Sequence, residues 1–233
     1  MRSVKAIFKK QAKDTYKNMS TLMQFIVYPA VAFAFSMLMG DIKNLSVPNM
    51  MASIFVGMGI VIIVAGVIAE DKENKSLRFL VMAGVKPTTY LLGIGSFIFL
   101  VSLVPSVAFS LINKFYGQEF WLYMALMMSG VLASILLGAI VGILSKNQQA
   151  ATGMAMPIAM ILGFGPMLAQ FNEVVKKIFS IFYTQQLNVV SGCIMTGHEL
   201  GTVIWKSFAT MWINIAILVV LFVFSFTKKG LKS

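Results

Sequence analysis

The sequence predicts an all-α integral membrane protein with six transmembrane helices, and three observations predict it. Of its 233 residues, 58% are hydrophobic and 12% charged, with a mean hydropathy of +0.85. Soluble domains are about 45–50% apolar and about 25% charged. Six mainly apolar runs, about 21–40, 48–69, 89–113, 121–144, 149–170 and 204–226, each approach or exceed the roughly 20 residues that cross about 30 Å of hydrocarbon. The third observation is where the cations lie. Segments 1–19, 70–88, 145–148 and 227–233 hold fourteen Lys or Arg; segments 41–47, 114–120 and 171–203, with Lys206, hold five. That alternation is the positive-inside pattern of a chain with both termini in the cytoplasm. It explains the net charge of +11 as a topology signal, without nucleic acid as a partner. Little chain is left over for a soluble unit, so 1–233 reads as one transmembrane domain.

Residues 1–19 open the chain as an amphipathic interfacial helix. At 100° per residue Val4, Ile7, Phe8, Gln11 and Thr15 share one stripe, and Arg2, Lys5, Lys9, Lys13 and Lys17 lie opposite. Such a helix serves as a topology anchor on anionic lipid or as a lever acting on the first span. The first span, which has no small-residue cleavage site behind it, reads as retained. A short outer loop with Asp41, Lys43 and Pro48 leads to the second span. The fourth span carries Gly138 and Gly142 at the spacing that lets helices approach closely. The fifth contains Pro157, Gly163, Gly165 and Pro166 and is expected to be broken. A proline in lipid needs protein or a wet cavity beside it, which places this helix inside an assembly. In 171–203, Val174, Val175, Ile178, Phe179 and Phe182 recur at helical spacing and "LNVVSGCIM" carries no charge. That predicts short re-entrant helices at the outer face.

Several kinds of chemistry are excluded. His198 is the only histidine, so "HELGT" is no zinc-protease motif, and His198 reads as a polar turn residue. One cysteine, Cys193, permits neither an internal disulfide nor a cysteine-built metal site. All eight acids lie in loops or at span ends, where they cannot serve an ion-coupled transporter at mid-membrane. No GxxxxGK[ST] loop is present, so ATP hydrolysis would have to come from another subunit. The chain is therefore expected to be no enzyme and to bind no cofactor or metal.

The stretch "EDKENKSLRFLVMAGVKP" stands apart, with seven charged side chains between two spans. As a helix from Asp71 to Gly84 it would place Leu77, Leu80, Val81 and Gly84 on one face. Lys72, Lys75 and Arg78 would share the other with Phe79 and Met82. Apolar side chains ringed by charge describe a docking surface, although a solvated loop with incidental hydrophobes also accommodates them. Ala69 to Gly93 resembles the segment after the second span in type-two ABC exporter permeases. The residues that match are Glu70, Lys72, Glu73, Ser76, Leu77, Leu80, Pro87, Leu92 and Gly93. Lys75 departs from it, many members having glycine there.

The resemblance extends to the whole architecture and implies a permease half of an alternating-access exporter in a bacterial plasma membrane. Its expected partners are an ABC-type ATPase, which would hold the ATP and Mg, and a second copy of itself or a related permease. Residues 70–88 would form the cytoplasmic coupling helix, with Glu70, Lys72, Glu73, Lys75, Ser76, Phe79 and Met82 towards the ATPase. The outer segment would be a gate. Met154, Met156, Pro157, Met160 and Phe164 of the fifth span are the expected pathway residues, because thioethers repack around varied apolar ligands. The same methionines serve equally as lipid-phase filler. A hydrophobic drug-like molecule or an amphipathic antimicrobial peptide suits such a path; a non-transporting assembly or sensor subunit is the alternative.

Overall fold

The computed structural model describes residues 2–39, 47–82, 84–196 and 200–229. Among them there is no strand, and six helices are long and apolar enough to cross a membrane. The helices are α1 (Arg2–Lys17), α2 (Met19–Met39), α3 (Val47–Ile54), α4 (Val61–Glu73), α5 (Ser76–Met82), α6 (Pro87–Val101), α7 (Leu103–Ile112), α8 (Gln118–Leu144), α9 (Gln148–Leu168), α10 (Glu173–Phe179), α11 (Tyr183–Thr196) and α12 (Leu200–Lys229). A π-helical turn, Phe55–Ile60, joins α3 to α4 within the second span. The third span runs through α6 and α7. It is interrupted at Ser102, three residues before Pro105, which has no N–H to return to Val101. Asp41, Lys43, His198 and Glu199 lie outside the described residues.

Helices in lipid gain little from hiding apolar surface, so close approach of backbones has to hold them together. The second span supplies the centre. A Cβ on Gly138 would stand 2.7 Å from the Val61 carbonyl oxygen, and one on Gly142 2.9 Å from that of Ala65. Gly138 and Gly142 therefore let α8 lie directly on α4. On the other side Ala151, Ala155 and Ala159, all fully buried, form the contact face of α9. At Gly57 the place of a Cβ lies 2.9 Å from the Leu162 carbonyl oxygen. The residue four further on, Pro166, has no N–H to offer that carbonyl. Glycine admits the neighbouring backbone where proline has left an acceptor.

Three expectations need correction. The fifth span is not broken: α9 is one helix with Pro157 and Pro166 inside it, and at the second of them Gly57 of the second span lies against the Leu162 carbonyl. The segment 71–84 is not one helix. α4 runs on to Glu73, Lys75 takes a left-handed φ of 58°, and α5 is only seven residues long. Gly84 is not on a helix face; its φ of 77° ends α5, with the Val85 N–H donating to the Leu80 carbonyl at 3.0 Å.

The N-terminal helix matches its pattern but meets protein. Ile7, Gln11 and Thr15 are buried, and Lys5, Lys9, Lys13 and Lys17 are exposed. Phe8 meets Phe97 of α6 edge-on at 5.5 Å, and Ile7 fills the space a side chain on Gly93 would need. At the opposite end, α11 buries Tyr183, Leu187, Val190 and Ile194, while α10 buries nothing and leans on Gly165 through Phe179.

Candidate functional site

The end of the molecule that carries α5 gathers side chains of α1, α4, α5 and α6 with backbone groups at the ends of α8 and α9. The last turn of α4 supplies Glu70, Asp71, Lys72 and Glu73, and each of the last three has a partner within the chain. Asp71, 8% exposed, pairs with Lys10 of α1 through one carboxylate oxygen and accepts from the Tyr90 hydroxyl of α6 at 2.8 Å through the other. Lys72 donates to the carbonyls of Ile143 and Ser145 at 3.1 and 3.0 Å, where α8 has run out of N–H partners. Glu73 accepts from the Gln148 N–H at 3.0 Å, the first turn of α9. One helix end thus ties α1, α6, α8 and α9 together. Helix polarity explains the signs, with a cation on a C-terminus and an anion on an N-terminus. Asn147 completes the α9 start by accepting from the Ala150 N–H at 2.8 Å.

The seven residues of α5 follow directly, and Leu77, Leu80, Phe79 and Met82 sort as the sequence pattern predicts. Leu77 is 7% exposed and Leu80 rests partly buried on the core, whereas Phe79 and Met82 are 65% and 66% exposed. Ser76 is partly buried at the helix start, and Lys75 is exposed at the left-handed joint. Phe79 and Met82 share an outward face that none of the described residues covers. Among the described residues no group of His, Cys, Asp or Glu could hold a metal ion.

The expected pathway residues lie together on α9. Met154, Met156, Pro157, Met160 and Phe164 all face away from the alanine stripe and are exposed. Along the centre of this face Met154, Pro157, Ile161, Phe164 and Leu168 alternate at spacings of three and four. That spacing has the period of a helix-packing seam.

Sequence reasoning assigned no role to Asp71, Tyr90 or Lys10. Lys10 gave no distinct signal, since at 100° per residue it falls beside the exposed Lys17. The roles of Lys72 and Glu73 had none, since their partners are backbone groups 71 to 75 residues away. A family model described as ABC-2 family transporter protein matches residues 9–227. No curated protein matches the chain.

Proposed function

The chain belongs to the ABC-2 family of transporter proteins and is a multi-pass permease subunit of an ABC transporter; on that premise we propose that it exports an apolar or amphipathic cargo from the cytoplasm. The observation that carries this reading is α5. It projects Phe79 and Met82 from the end where the cations concentrate, so that end is taken as cytoplasmic. An ABC ATPase, holding ATP and Mg, docks there. ATP-driven closure of the ATPase pair pushes α5, and the ATPase must bind one permease state better than the other to shift it. The push reaches the spans quickly, because α5 follows the helix end that ties α1, α6, α8 and α9.

The pathway lies between two copies of the chain, or this chain and a related permease, joined along the α9 seam. The exposed methionines line it and repack around varied apolar cargo such as drug-like molecules or amphipathic peptides. α10 and α11 stand at the far mouth as its gate, and the host membrane is a bacterial plasma membrane.

Topology and coupling are tested together. In a Cys193→Ser background, an impermeant maleimide on intact cells should label Glu173→Cys and spare Glu73→Cys; the reverse would invert the model. In proteoliposomes with the ATPase, hydrolysis should drive a fluorescent amphipathic peptide to the side opposite α5. Hydrolysis indifferent to the permease would favour an assembly or sensor role instead.

A further inference from the structure

The second span changes helix type partway, and the change coincides with a buried polar chain. Val56, inside the π-helical turn, is fully buried, and its carbonyl accepts from the Ser134 hydroxyl of α8 at 2.6 Å. Ser134 has one proton and commits it to Val56. The Tyr183 hydroxyl of α11, 2.8 Å from Ser134, must then be the donor to it. Ser134 and Tyr183 are 0% and 2% exposed, so water does not compete for these bonds. A π-turn holds one residue more than an α-helix would over the same length, and it persists where something outside the helix favours it.

We propose that this chain is a latch: Tyr183 and Ser134 hold the second span in its π-form, and withdrawal of α11 lets the turn resolve into α-helix. The extra residue must then pass to one half of the span. The half towards α5 cannot take it, because Gly138 and Gly142 lock α4 against α8 and Lys72 and Glu73 fasten its end. The other half, α3, moves instead. It advances by one residue, about 1.5 Å along its axis and about 100° around it. In the present state Asn49 of α3 donates to the Met195 sulfur of α11 at 3.6 Å. After release, Met50 occupies the place of Asn49. The position of α11 would thereby set the rotation of the far half of the second span, whichever cargo is carried.

The register shift can be read by paired cysteines in a Cys193→Ser background, within the monomer band so that contacts between copies do not count. With the latch intact, the Asn49→Cys, Met195→Cys pair should cross-link faster than the Met50→Cys, Met195→Cys pair. Ser134→Ala and Tyr183→Phe each remove one oxygen from the chain and keep the packing volume, and either should reverse that preference by at least tenfold. Ser106→Ala, whose hydroxyl reaches the Ser102 carbonyl in its own span and the Met128 sulfur of α8 but no member of the latch, should leave it as it was. An unchanged preference in both latch variants, loss of both cross-links, or the same change in Ser106→Ala would overturn the latch. None of these readouts depends on an ATPase or on transport, so they can fail while the transport reading stands.

Discussion

Residues 70–73 and 76–82 are neighbours in sequence and are used in opposite ways. The first group is wholly charged, and three of its four side chains bond to other helices of the same chain. The second is mostly apolar, yet it leaves Phe79 and Met82 open. In a soluble protein the charges would face outward and the hydrophobes inward. Here the charges sit at helix ends, where unpaired backbone groups and a buried tyrosine give them partners, while Phe79 and Met82 are left exposed. Charge does the internal fastening, and the proposed function assigns the external docking to the hydrophobic surface.

That contrast can be broken most forcefully at Asp71. Asp71→Ala leaves the buried Tyr90 hydroxyl without its acceptor and Lys10 without its anion. It should cost about 3 kcal/mol of stability, by the usual cost of opening buried charged hydrogen bonds. Thermal or SDS-induced unfolding in detergent would show it, and a variant as stable as wild type would mean that the charges do not fasten the helices.

Glu73→Gln and Lys72→Met, tested singly, sharpen the same point at a smaller scale. Each removes a charge from a helix terminus near solvent, so each should cost about 0.3–1 kcal/mol by unfolding. Both should leave ATPase docking unchanged, since each side chain is bonded to a backbone group at the α8 or α9 end of the permease itself. Lys75→Gly is the smallest change. It relieves a left-handed backbone at the joint between the two groups but loosens the unfolded chain, for a net effect within about 1 kcal/mol in either direction.

Six spans, the amphipathic first helix and the two faces of α5 were legible in the sequence, because each is a local period of polarity. The break expected in the fifth span was not there. A proline count shows lost donors but not the glycine of another span that closes against them, as Gly57 does beside Leu162. The helix from Asp71 to Gly84 failed for a related reason: periodicity continues through Asn74 and Lys75, whereas the backbone turns left-handed there. The glycine common at position 75 in the resembling permeases suits such a turn. The Tyr183–Ser134–Val56 chain and the Asp71 cluster escape sequence reading because their members stand 19 to 78 residues apart. They become visible only when the helices are assembled.

The most direct test of the account sets the two faces of α5 against each other. Phe79→Ala with Met82→Ala should leave unfolding unchanged and weaken docking of the ABC ATPase by at least tenfold. Burial of each side chain against the partner is worth about 1.5–3 kcal/mol, and about 1.4 kcal/mol is a factor of ten. Leu77→Ala with Leu80→Ala should lower the folded yield instead, because those side chains rest on the permease's own core. Copurification of the ATPase with each variant, measured beside its unfolding temperature, decides the matter. Docking lost only in the first pair and stability only in the second is the predicted result; equal loss of stability in both, or full docking by the first, would contradict it.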